Sequence, residues 1–173
     1  QIEDLPEHET RIYRSIDDML HWFAGMQVRN AASIGGNIMT GSPISDLNPI
    51  LLAATASLEV ESIDGGRRIV KMDENFFTGY RRNVIRNDEV LISVSIPKTT
   101  QNQYFVAYKQ AKRRDDDIAI VNAAFNIRLN RDLIEDARIA FGGMAPTTIL
   151  ALKTAEMMRG KKWNNDLIEE VNN

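Results

Sequence analysis

Two adjacent glycines sit between a hydroxyl and a carboxamide in Ser33-Ile34-Gly35-Gly36-Asn37, and Thr40, Ser42 and Asp46 follow in the same stretch. Glycine has no Cβ, so a ligand can approach its backbone closely. Successive N–H groups in such a segment form a concave site for an anion, and Ser33 and Asn37 add side-chain donors. A turn whose glycines merely relieve backbone strain is the alternative, and the local pattern leaves both open. The spacing is neither that of a G-x-G-x-x-G dinucleotide loop, since no strand precedes it, nor that of a Walker loop, which needs a lysine after its last glycine. Arg113-Arg114-Asp115-Asp116-Asp117 is the second chemically suggestive stretch, with a solvated connection between strands as its alternative reading. Asp46 precedes an apolar helical run, where an N-cap role is equally open.

The chain of 173 residues carries 43% hydrophobic and 26% charged residues and a net charge of -3, which argues against a nucleic-acid binder. It has no cysteine, so disulfides, thiolate metal sites and cysteine nucleophiles are excluded, and its two histidines, His8 and His21, lack a local zinc-ligand pattern. No apolar run approaches the roughly 18 residues of a membrane span. Starting at Gln1 without a signal-like segment, the sequence reads as a processed product or a fragment.

The elements that must position these residues follow from periodicity. Residues 1–10 read as an arm. A helix is expected from Ser15, with Ile16, Met19, Leu20 and Phe23 at helical spacing and Gly25 as its stop. The glycine stretch then leads to a buried helix over 47–56 with Pro49 in its first turn. Residues 58–62 and 67–72 alternate around Asp64-Gly65-Gly66 and predict a hairpin. Residues 74–83 read as a partial helix or ordered loop, and 89–97 as a strand. Strands are expected over 104–111, 118–129 and 134–143, and helices over 147–160 and 163–173. Strands that pair in sequence with helices gathered at the end make an α+β fold.

HWFAGMQVRNAASIGGNIMTGSPISDLNP (21–49), FFTGYR (76–81), EVLISVSIP (89–97), YKQAKRRDDDIAIVNAA (108–124) and FGGMAP (141–146) occur in this order. Together they resemble the flavin-binding region of the xanthine dehydrogenases and their aldehyde oxidase relatives, within the molybdenum hydroxylase family. The likeness runs from about Ser15 to about Trp163, and RRDDDIAIVN is nearer the xanthine dehydrogenase branch. It implies a linker or arm over 1–14, then the C-terminal part of a p-cresol methylhydroxylase-type FAD-binding domain over 15–98. An antiparallel sheet with helices, CO dehydrogenase flavoprotein C-terminal-like, would follow over 104–173.

The resemblance also implies FAD as the cofactor of this domain. Ser33, Gly36 and Asn37 would lie along its pyrophosphate, and Phe23 would pack on the isoalloxazine that Ala24 approaches through its backbone. Asp46 would contact the adenosine or ribitol side, and Leu91 would face the flavin. Lys109 would lie near the pyrimidine edge, where positive charge stabilises the anionic reduced ring and raises its potential. Asp116 would approach the ring from a mobile loop that affects access of NAD, so that Asp116 and Lys109 tune redox behaviour while no residue here is catalytic. Trp22 and Arg114 would form a packing cluster beside position 21, which is His21 where the family pattern leads one to expect a basic residue such as arginine.

In a complete enzyme the resemblance implies hydroxylation of hypoxanthine and xanthine to urate at a molybdopterin cofactor. Electrons would pass through two 2Fe-2S clusters to FAD and on to NAD or oxygen. Without cysteine this stretch cannot ligate the clusters. Its implied partners are the iron–sulfur and molybdenum domains and a first FAD subdomain preceding Gln1. The assembly would be a homodimer in the cytoplasm, or alternatively the peroxisome, with no nucleic acid or membrane bound. With half of the cleft elsewhere, the isolated stretch is expected to bind FAD weakly or not at all. The other readings are an aldehyde oxidase-type flavin domain, a bacterial molybdenum hydroxylase flavin subunit, or a non-catalytic interaction module with a vestigial loop.

Overall fold

Ile12, Ile16, Met19 and Leu20 recur at the spacing of one helix face, and in the computed structural model, which describes residues 4–114 and 116–172, they pack against the main core. After a 3₁₀ turn at Glu7–Glu9, helix α1 runs over Arg11–His21, beginning earlier than Ser15, which lies buried within it. Ile12 is fully buried, so residues 11–14 belong to the fold and not to an arm. Residues 1–3 of the expected arm, and Asp115 of the acidic triplet, lie outside the described residues.

Helix α2 (Met26–Ala31) is followed by α3 (Ile34–Thr40), so the glycine stretch is helical where its pattern suggested a turn or a concave segment. Gly36 N donates to Ser33 Oγ at 3.0 Å, which makes Ser33 the N-cap of a helix. Gly41, at φ 55°, ends it in the left-handed region that glycine tolerates. Two interior glycines disfavour a helix by about 1 kcal/mol each relative to alanine, and burial of Ile38 offsets that. Helix α4 (Asn48–Ala53) carries Pro49 in its first turn, and all its residues are buried.

Strands β1 (Ser57–Ser62) and β2 (Gly66–Lys71) form the expected hairpin, with Ser62 opposite Gly66. The aromatic segment expected to be partly helical instead holds a small hairpin, β3 (Phe77–Gly79) with β4 (Arg82–Asn83); Phe76 and Phe77 are buried edge to face. Strand β5 (Val90–Ser95) completes a sheet of order β2-β1-β5. Its pairing jumps from Glu59–Ser93 to Val60–Leu91, so Ile92 is an extra, bulged residue. The bulge turns Leu91 and Val94 to the same, core-facing side although they are three positions apart.

One end of this sheet is tied by Glu89, whose side chain is 1% exposed. It accepts from Arg68 Nε at 2.5 Å and Nη2 at 2.8 Å and from Arg86 N at 2.7 Å. These bonds, led by that from Arg68, hold its carboxyl down from 4.5 to about 2. A depressed carboxyl contributes stability above its unfolded value and loses it as pH falls towards its folded value. The urea midpoint should therefore decline between pH 4.5 and about 2, and Glu89→Gln should flatten that limb in titrations at a series of pH values.

The second sheet consists of β6 (Gln103–Gln110), β7 (Val121–Asn130), β8 (Leu133–Gly142) and the short β9 (Ile149–Leu150), antiparallel in that order. β7 begins three residues later than expected from its sequence, and the anticipated helix over 147–160 divides into β9 and α5 (Leu152–Met158). Helices α5 and α6 (Asn165–Asn172) cover the outer face through Ala155, Met158 and Leu167 against Ile127, Ala137 and Ile139. The inner face packs on α1 and α4, so α4 is wedged into the common core of both sheets. Among the described residues no helix is long and apolar enough to cross a membrane.

Candidate functional site

Alternation along β6 turns Phe105, Ala107 and Lys109 inward and Tyr104, Val106 and Tyr108 outward. Lys109 pairs in register with Asn122 on β7, and Asn122 with Gly142 on β8. This row grips the segment between α3 and α4. Lys109 Nζ donates to Asp46 Oδ2 at 3.1 Å, Asn122 Nδ2 to Ser45 O at 2.7 Å, and Gly143 N to Pro43 O at 2.8 Å. Both side chains of the Lys109–Asp46 pair are 9% exposed. Lys109 thus lies on the edge strand of this sheet, but its side chain faces inward and is buried against Asp46 and not solvated.

Asp46 makes no N-cap bond; α4 is entered from Leu47 without a side-chain cap. Burial pushes its carboxyl above the ordinary range, and Lys109 opposes this through charge and a hydrogen bond. Its Oδ1 is buried and has no hydrogen-bond partner among the described residues. Asn37 Oδ1 accepts from Ser45 Oγ at 2.6 Å, which in turn accepts from Asn48 N at 3.2 Å, so α3 is tied to the same segment.

Beside this framework lie two hollows separated by the turn that ends α1. The smaller, of about 250 Å³, is lined by Phe23, Ser33, Asn37, Ile34, Leu47 and Arg29 among others, and brings together three of the expected site residues. The larger, of about 690 Å³, joins Ala24 and Asp116 with Asp17, His21, Trp22 and Arg29. Ala24 and Asp116 both have positive φ, 45° and 51°. Gly36 stands at the cap of α3, and Leu91 packs beneath it, its Cδ2 3.6 Å from where a Cβ on Gly35 would lie. Lys109 opens onto neither hollow; it lines a groove between α1 and residues 107–114, with its ammonium also 3.4 Å from Trp22 O. Arg114 lies 4.4 Å over the Trp22 ring, and His21 meets the same ring edge-on at 4.6 Å.

The residue types around the smaller hollow fit a flavin dinucleotide. Phe23, Ile34 and Leu47 offer an apolar wall, and Ser33 O–H and Asn37 Nδ2 offer donors suited to phosphate. Arg29 and Leu47 line this hollow without having been singled out in the sequence. A cation within a few residues of a helix C-terminus was the available signal for Arg29.

Residues 2–99 match the family model described as FAD binding domain in molybdopterin dehydrogenase. The chain belongs to this family. Residues 106–173 match a second model, the CO dehydrogenase flavoprotein C-terminal domain. Xanthine dehydrogenase of Drosophila pseudoobscura pseudoobscura is 55% identical over 99% of this chain. Xanthine dehydrogenase/oxidase of Gallus gallus is 47% identical and xanthine dehydrogenase 1 of Arabidopsis thaliana 43% identical, each over 98% of the chain. The chain spans 13% of the length of each of these relatives. Among solved structures, carbon monoxide dehydrogenase from Hydrogenophaga pseudoflava superposes with a TM-score of 0.86 at 24% identity, covering 98% of this chain and 57% of that one. Quinoline 2-oxidoreductase from Pseudomonas putida 86 gives 0.78 at 22% identity, covering 94% and 55%. At such identity these two establish the fold alone, and it is the expected α+β arrangement of a flavin-domain portion followed by the C-terminal sheet and helices.

Proposed function

We propose that this chain is the C-terminal part of the flavin station of a xanthine dehydrogenase. In the full enzyme it would take electrons from two 2Fe-2S clusters, fed by a molybdopterin site that hydroxylates hypoxanthine and xanthine, and pass them to NAD or oxygen. Bound FAD would supply the two-electron carrier that can also release electrons singly. The observation that carries this reading is the convergence of Phe23, Ser33 and Asn37 on one hollow in a chain of the FAD-binding family. Its likeness at 43–55% identity to xanthine dehydrogenases supports the choice of substrate class over an aldehyde oxidase.

On this reading Phe23 and Leu91 pack near the isoalloxazine, Ala24 approaches it through its backbone, and Ser33, Gly36 and Asn37 lie along the pyrophosphate. Asp46 and Lys109 act as a joined pair, with the Asp46 carboxylate engaged by the ammonium rather than free for the ribitol. Asp116, which lines the larger hollow together with Ala24, adjusts how readily electrons leave for NAD or for oxygen. The division into units at 15–98 and 104–173, assembly as a homodimer with the other domains, and a cytoplasmic location belong to the same reading. Asn37→Leu in a full-length enzyme carrying this sequence should weaken FAD about tenfold, by loss of a donor to a charged group. Flavin content and an FAD titration of the apoenzyme check this; wild-type affinity would contradict the assignment.

A further inference from the structure

The turn after α1 is held by one side chain. Arg29, in the last turn of α2, directs Nη1 at three consecutive-region carbonyls: Phe23 O at 2.8 Å, Ala24 O at 2.5 Å and His21 O at 3.5 Å. His21 O ends α1, where the helix dipole concentrates negative charge and a cation is favoured, and Phe23 O and Ala24 O lie in the turn that follows. They also belong to a strained segment, since Ala24 sits at φ 45°, which a residue with a Cβ adopts only when its surroundings impose it. Arg29 lines both hollows, so it forms part of the wall between them. Arg29 itself is exposed and has no carboxylate partner among the described ion pairs, so the carbonyls are its anchorage.

We infer that Arg29 is a positioning residue for the flavin, acting through this turn: it draws the carbonyls of 21–24 onto one cation, fixes Ala24 in its strained conformation and so sets the Phe23 ring against the smaller hollow. The inference rests on the reading of that hollow as the flavin site. Lysine has one compact ammonium and cannot match the planar fork, so it should restore the turn only in part.

The test uses a full-length enzyme carrying Arg29→Gln, Arg29→Lys or Phe23→Ala. Arg29→Gln should weaken FAD about tenfold and alter the visible circular dichroism of bound flavin, with Arg29→Lys intermediate in both and the melting temperature of each apoenzyme close to wild type. If Arg29→Gln fails to fold, the Arg29→Lys result alone decides. Wild-type affinity and flavin dichroism in the arginine variants, with both changed in Phe23→Ala, would overturn the positioning role and leave the flavin site standing. A lowered melting temperature with unchanged flavin dichroism would also overturn it, as a purely structural effect. Phe23→Ala without effect would remove the flavin reading of the turn and the inference with it.

Discussion

Gly143→Ala is expected to destabilise the protein by about 4 kcal/mol, a large part of the 5–15 kcal/mol that holds a typical domain together. A Cβ at this position would lie 2.2 Å from Ile120 O, a backbone atom with no room to retreat, and the residue has a φ of 82°. Its N–H is also the one that holds Pro43 O. Relief would require β7 and β8 to separate or the 42–47 segment to lift, and either would disturb the grip on Asp46. Gly79→Ala is the matched control, because a Cβ there meets nothing within 4 Å among the described residues; its effect should stay within about 0.5 kcal/mol. Urea denaturation of the two variants beside wild type makes the comparison, and equal midpoints would show that the strand ends yield easily.

Lys109→Met should lower stability by about 3 kcal/mol at neutral pH, because it leaves a carboxylate buried without a counter-charge. Asp46 already has its carboxyl raised by burial, and Lys109 supplies the opposing influence. Without that cation the carboxyl shifts further up. A group whose folded value is raised favours folding when protonated and loses that contribution as pH rises through the folded value. The deficit of Lys109→Met should therefore shrink on acidification, and Lys109→Met/Asp46→Asn should recover most of it at pH 7. Urea titrations of the single and double variants at pH 5 and pH 7 check both. A single variant as stable as wild type would mean that the pair contributes little beyond its own desolvation. In a full-length enzyme, the place near the pyrimidine edge that the resemblance implies for Lys109 adds the expectation of a lowered flavin potential in Lys109→Met, and an unchanged potential in a redox titration would reject that place.

Much of the fold was legible in local pattern. The β1–β2 hairpin follows from alternation around Asp64-Gly65-Gly66, and α4 from an apolar run with proline in its first turn. The second sheet was also readable as a succession of strands, since neighbours in sequence pair with each other. Elsewhere tertiary packing overrode local preference. Ser33-Ile34-Gly35-Gly36 looks like a turn because glycine weakens helices, yet the Ser33 cap and the burial of Ile38 make it helical. The small β3–β4 hairpin leaves no local signature, because its strands are too short to show a period. The β5 bulge was hidden for a related reason: Val90 to Ser95 alternates plausibly in either register, and only pairing with β1 reveals that Ile92 is the extra residue.

By itself the sequence determined the residue types of the site, their order, and through them the family. Phe23, Ser33, Asn37, Asp46, Lys109 and Asp116 are all legible as groups able to meet a ring, a phosphate or a charge. Only the tertiary structure decided which of them meet. Phe23, Ser33 and Asn37 share a hollow because α1 and α3 flank it, while Asp46 and Lys109 join because strand register turns Lys109 inward opposite the 42–47 segment. The physical reason is that helix caps and hairpins are made by neighbours in the chain, whereas a buried ion pair between positions 46 and 109 exists only once two sheets have closed on one core.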